Sequence, residues 1–144
     1  MKKIILTLAC VITLVSNLKA DNYQPIAISQ LPQEAQTFLS TYFPNSKTSL
    51  VRKEIDLLEL SYDVIFADGS KVEFDRQGHW TEVDCLTRAL PAGIVPAAIG
   101  KVIEAQYPQA QPTKIERDHR DTDVKLNNRV ELTFNKKHQL IDID

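Results

Sequence analysis

Cys85 is the side chain with the greatest intrinsic reactivity, and its neighbours in sequence pull its thiol in opposite directions. Arg88 would favour the thiolate and Asp84 would oppose it. The plainer reading is a small, partly buried apolar residue at a strand end, where a free cysteine is at home. His79, His119 and His138 fall at or near expected turns and hairpins. None stands at metal-ligand spacing from another histidine or a cysteine, so they read as solvated loop residues. The 4 glycines, Gly69, Gly78, Gly93 and Gly100, cannot write a G-x-G-x-x-G, a P-loop or a G-x-S-x-G elbow. Carboxylates are plentiful: Glu59, Asp63, Glu73, Glu82, Asp84, Asp121, Asp123, Glu131, Asp142 and Asp144. On alternating strands many of them share one face. That face is either simply wet, as antiparallel sheets allow, or an electrostatic surface that selects a partner. A paired-carboxylate glycosidase is the remaining reading, but no feature of the chain suggests the deep cleft that a sugar needs.

The elements that position these residues are legible as periodicity. Leu31, Ala35, Phe38, Leu39 and Tyr42 recur at helical spacing between Pro32 and Pro44. Val95, Ile99, Val102, Ile103 and Gln106 recur likewise between Pro96 and Pro108. Between and after these helices the period becomes two. Leu60, Tyr62 and Val64 alternate with Glu59, Ser61 and Asp63, and Asp68-Gly69 is a strong hairpin turn. Val72 and Phe74 continue the apolar face, Gln77-Gly78 turns again, and Trp80 to Asp84 is a further strand. Val124, Leu126, Val130, Leu132, Phe134 and Leu140 to Asp144 echo this pattern.

The echo is an internal repeat. Pro32 and Pro44 return as Pro96 and Pro108. Further on, Asp63-Val64 returns as Asp123-Val124 and Phe74 as Phe134. The register shortens by four residues near Ile55 to Ser61, where a hairpin turn is expected and length changes are tolerated. The fold class is therefore α+β: two tandem helix-plus-four-strand repeats form one antiparallel sheet with helices on one face. Each unit is marginal alone, because so short a chain buries too small a share of its surface. The expected organisation is residues 1–20 a signal peptide, 21–30 a leader, 31–84 the first repeat, 85–95 a connector and 96–144 the second repeat.

The signal is read from the positive Met1-Lys2-Lys3, the apolar run from Ile4 to Leu18 and the small Ala20 before Asp21. The run is too short for a comfortable membrane span. Cys10 lies within it, and the residues after it stay apolar, unlike the start of a lipoprotein. Cleavage after Ala20 removes Lys2, Lys3 and Lys19 and no acid, leaving 14 basic and 19 acidic residues, a net charge of −5. Such a body lacks the basic footprint of a nucleic-acid binder and the basic amphipathic stretch of a membrane-surface protein. With one mature cysteine it has no intramolecular disulfide.

The leader, the helices ending in a Tyr/Phe-Pro step and the segment from Gly78 to Cys85 resemble the PepSY-like family of β-lactamase-inhibitor-like proteins of Gram-negative bacteria. The resemblance covers residues 30 to 144. It departs from the neatest pattern at Arg129, which stands where the first repeat has Gly69, and at Leu140, which stands where it has Trp80. The resemblance implies a non-enzymatic periplasmic protein with an eight-stranded sheet whose uncovered face binds another protein, with no cofactor. The wider group includes propeptides thought to restrain their proteases. The expected contact residues are Asp63, Lys71, Glu73, Trp80 and Glu82, with Trp80 the anchor because Trp leads interface hot spots. The alternative function is a small-ligand or cation-binding protein that uses the same acidic face.

Overall fold

Two proline-punctuated segments become the helices. In the computed structural model, which describes residues 22–144, Pro32 precedes α1 (Gln33–Tyr42) and Pro96 precedes α2 (Ala97–Gln106). Each proline stands one residue outside its helix, with φ of −52° and −54°, and turns the chain into the first helical residue. Each helix stops where the next residue precedes a second proline. Phe43 and Tyr107 leave the helical region at φ −129° and −134°, as the clash with Pro44 and Pro108 requires. Leu31, Ala35, Leu39, Ile99 and Ile103 are buried, as the helical stripes predict. The expected signal peptide, residues 1–20, lies outside the described residues.

The strands are β1 (Tyr23–Pro25), β2 (Thr48–Asp56), β3 (Glu59–Phe66), β4 (Lys71–Phe74), β5 (Trp80–Asp84), β6 (Pro112–Arg117), β7 (Asp121–Leu126), β8 (Glu131–Asn135) and β9 (Leu140–Ile143). They form one sheet in chain order, each strand antiparallel to the next. Among the described residues the sheet has nine strands, not the expected eight. The ninth comes from the leader. β1 lies along β2, with Tyr23 opposite Glu54 and the Arg52 guanidinium 3.8 Å above the Tyr23 ring. The Ile26 N–H then donates to the Val51 carbonyl at 2.9 Å.

One apolar row crosses the sheet on the helix side. Val51, Val64, Val72, Val83, Ile115, Val124 and Leu132 are successive cross-strand partners. All but Val51 are fully buried. The row does not break between β5 and β6, where Val83 meets Ile115, so a single core runs under both helices. Phe74 and Phe134, also fully buried, fill it from β4 and β8.

Helix followed by four strands occurs twice in the chain. Backbone details recur at an offset of sixty residues. Gly69 and Arg129 take left-handed φ of 89° and 71°, and Gly78 and His138 take 91° and 58°. Gly78 also has a packing reason: a Cβ there would lie 2.8 Å from Pro32 Cβ and 2.9 Å from the Ala35 nitrogen. The β4–β5 and β8–β9 pairings each slip by one residue, at Glu73/Phe74 and at Thr133/Phe134.

Candidate interaction face

Strict alternation sends the partners of the apolar row to the opposite side of the sheet. There Arg52, Asp63, Glu73, Glu82, Glu116, Asp123, Thr133 and Asp142 are consecutive cross-strand neighbours. Beside them runs a second row, with Lys71, Asp84, Lys114 and Lys125 in register. Like charges directly opposite each other on a sheet are unfavourable, and the neighbouring row offsets this. Lys71 Nζ lies 3.5 Å from both Glu73 Oε1 and Glu82 Oε1, and Lys114 Nζ lies 3.4 Å from the same Glu82 oxygen. Glu82 is thus the hub of the face, placed where the two halves of the chain join.

Asp63 anchors one end. Its side chain is 3% exposed, and Arg52 Nε donates to its Oδ2 at 2.8 Å. Its Oδ1 is buried with no hydrogen-bond partner among the described residues. At the other end Thr133 donates its hydroxyl to Asp123 at 2.6 Å. The sequence-expected Asp63, Lys71, Glu73 and Glu82 therefore do come together on one surface. Arg52, Lys114 and Glu116 belong with them and were missed.

Two of these carboxyls are driven apart in acidity. Burial, a hydrogen bond with Glu82 and the charge of Glu82 push Glu73 up to about 7. Burial also raises Glu82, but its hydrogen bond with Glu73 and the ammonium groups of Lys71 and Lys114 hold it below its ordinary value. Below about pH 7 the pair therefore keeps one proton, held mainly on Glu73. Unfolding returns Glu73 to its ordinary value of 4.5. Between that pH and about 7 the folded protein keeps a proton that the unfolded chain releases, so stability falls as pH rises through the window. Glu82 contributes the opposite slope below its ordinary value, losing its stabilisation as pH falls through its lowered one. Glu73→Gln should raise stability at pH 8 by about 1 kcal/mol, discounted for solvent screening, and leave it unchanged near pH 4. Denaturant melts at the two pH values check this; an equal shift at both would assign the slope to another group.

Trp80 is a correction. It does not stand on this face. Glu73 pairs with Glu82, but Phe74 pairs with Trp80, leaving Thr81 as an extra residue between them. The bulge reverses the alternation, so Trp80 points to the helix side with Phe74. There its ring lies 6.4 Å from that of Phe38, and the Arg117 guanidinium stacks 3.6 Å above it. Arg117 Nε also donates to the Trp80 carbonyl at 2.9 Å. Thr81 and its counterpart Ile141 are the bulged residues, and Ile141 is 54% exposed. Trp80→Ala should cost about 2–4 kcal/mol as a partly buried aromatic truncation. The emission of this single Trp should lie to the blue of a water-exposed indole; a red, exposed-type spectrum would contradict the packing.

Cys85 is buried, and burial pushes its thiol up; the charge of Arg88 opposes that and the charges of Asp68 and Asp84 add to it. Its side chain packs in the core cluster. His79 bridges Glu34 of α1 at 3.1 Å and Asp75 at 3.3 Å. Among the described residues no three His, Cys, Asp or Glu side chains converge as a metal site, and no helix is long and apolar enough to cross a membrane.

The family model described as "Putative beta-lactamase-inhibitor-like, PepSY-like" matches residues 60–142. Among curated proteins nothing matches. Three solved structures are similar over most of the chain. A "putative periplasmic protein" from Bacteroides vulgatus is 49% identical, with a TM-score of 0.85, over 87% of this chain and 98% of that one. A "putative calcium-regulated periplasmic protein" from Bacteroides thetaiotaomicron is 51% identical, with a TM-score of 0.83, over 85% and 96%. A second Bacteroides vulgatus protein, a "putative periplasmic protein of unknown function", is 30% identical, with a TM-score of 0.80, over 85% and 98%.

Proposed function

The chain belongs to the PepSY-like, beta-lactamase-inhibitor-like family, and from that premise we propose that it is a non-catalytic protein-binding module of the periplasm. The observation that carries this reading is the helix-free face of the sheet. Its charged groups form a continuous two-row lattice around Glu82, spanning both halves of the chain. A lattice of this kind, fixed on rigid strands, selects and orients a protein partner by charge pattern. Asp63, Lys71, Glu73 and Glu82 remain the contact residues, joined by Arg52, Lys114 and Glu116. Trp80 leaves the set because it packs inward. The family description makes an exported enzyme, held inhibited or restrained, the partner class. The twofold recurrence of helix, strands, turns and bulges supports reading residues 31–84 and 96–144 as repeats of one unit. The periplasmic relatives and the leader pattern of residues 1–20 support export, with Asp21 the first residue after cleavage.

Cation binding by the same face is the second reading, favoured by one relative's description as calcium-regulated. The lysines weigh against it, because Lys71 and Lys114 already supply positive charge to the Glu73–Glu82 pair. The wild-type chain and a Lys71→Glu, Lys114→Glu chain are to be compared as baits in periplasmic extract. A stoichiometric partner held by the first and lost by the second at low salt supports the protein-binding reading. A calcium-dependent rise in thermal midpoint with no partner supports the cation instead.

A further inference from the structure

Leu57 and Leu58 form the turn between β2 and β3, and at 90% and 96% exposure they are the most exposed large apolar side chains described. Leu57 takes φ 55°, a left-handed conformation that two-residue hairpin turns normally give to Asn, Asp or Gly. Flanking them, Asp56 and Glu59 sit directly opposite each other, a like-charge pairing that disfavours the hairpin. The corresponding turn in the second half is also bracketed by two carboxylates, Asp118 and Asp121, but it has neither exposed leucines nor a left-handed residue. There Asp118 accepts hydrogen bonds from the Arg120 and Asp121 N–H groups at 2.6 and 2.9 Å. In the first half a left-handed leucine, two solvated leucines and opposed carboxylates coincide at one hairpin end, and among the described residues no side-chain hydrogen bond or ion pair compensates them. Such coincident breaches of local preference mark functional sites.

Beside the tip lies an open concavity of about 680 Å3, walled by Glu54, Asp56, Glu59 and Asp75 against Arg76 and His119. Its balance is acidic. We propose that the β2–β3 hairpin is a docking finger: Leu57 and Leu58 enter an apolar pocket of a protein partner, and a basic rim on that partner meets Asp56, Glu59 and the acidic wall. An anionic lipid surface would be repelled by the same carboxylates, and so would the matching acidic surface of a second copy. The inference rests on the protein-binding reading above and adds the chemistry of the contact.

The test places a photoreactive benzoylphenylalanine at Leu58 of the full chain and irradiates it in periplasmic extract from cells that make the protein. A second chain carries the probe at Lys71 on the charged face. The expected result is one adduct with a different protein from the Leu58 probe, suppressed by excess unlabelled wild-type chain. Competitors carrying Leu57→Asn with Leu58→Gly, or Asp56→Lys with Glu59→Lys, should be at least tenfold weaker. The Asn-Gly substitution relieves the turn, so its thermal midpoint should equal or exceed that of the wild type, separating lost docking from lost folding. An adduct at Lys71 with none at Leu58 sinks the finger and spares the protein-binding reading; none at either site sinks both. An adduct with lipid or with a second copy, or competitors as strong as the wild type, also overturns the finger.

Discussion

Phe74→Ala is expected to lower the unfolding free energy by about 3–5 kcal/mol. Phe74 is fully buried, and Phe38 of α1 meets it edge-on at 5.6 Å and 81°. It is also the cross-strand partner of both Tyr62 and Trp80. Truncation removes the ring that joins helix to sheet, and β4 is fixed on both sides by β3 and β5, so the surroundings cannot close the space. Chemical denaturation should show a lower midpoint with an unchanged slope. Phe134→Ala, at the matching buried position of β8, should behave alike. Leu58→Ala, at the exposed hairpin tip, should change stability by less than about 0.5 kcal/mol. A small loss at Phe74 would mean that the helix does not rest on the sheet there.

A chain ending at Asp84 should lose its cooperative thermal transition. It would keep α1 and β1 to β5 but leave β5 as an open edge, because Glu82, Val83 and Asp84 pair with Glu116, Ile115 and Lys114 of the missing half. Trp80 would lose the Arg117 guanidinium that covers it, and the apolar row would end at Val83. A fragment of this size keeps too little buried area to offset its chain entropy. Circular dichroism on heating should therefore give a broad, featureless change. A sharp melt would show that the first half holds a core of its own.

Much of this fold was legible because its signals are local. The proline-bounded stripes placed both helices, and the alternation from Leu60 through Phe74 placed the buried face of β3 and β4. β1 was not legible: Tyr23–Pro25 is three residues long, ends in a proline and has no period to read. It forms because β2 offers an edge and Arg52 offers a cation to the Tyr23 ring, neither visible from the leader itself. Trp80 was misplaced for a different reason. Alternation assumes one residue per step, and the extra residue at Thr81 breaks that count. A signal did exist: Leu140 occupies the matching place in the second half, and apolar residues at both matching places mark a core site. Of the charged face, Asp63, Lys71, Glu73 and Glu82 followed from parity within hairpins. Lys114 and Glu116 depended on β6 pairing with β5 across a connector that contains a whole helix, which no local pattern reports.

On the proposed function, the helix-free charged face is covered by a protein partner where this chain works. Carbodiimide footprinting of its carboxylates, in periplasmic extract and on the purified chain, tests that without knowing the partner. Glu116 and Asp142 lie on the charged face, whereas Glu34 and Glu104 lie on the helices, and all four are exposed. Labelling of Glu116 and Asp142 should drop severalfold in the extract while Glu34 and Glu104 label equally in both. Identical labelling of all four in the two settings, or protection confined to the helices, would contradict it.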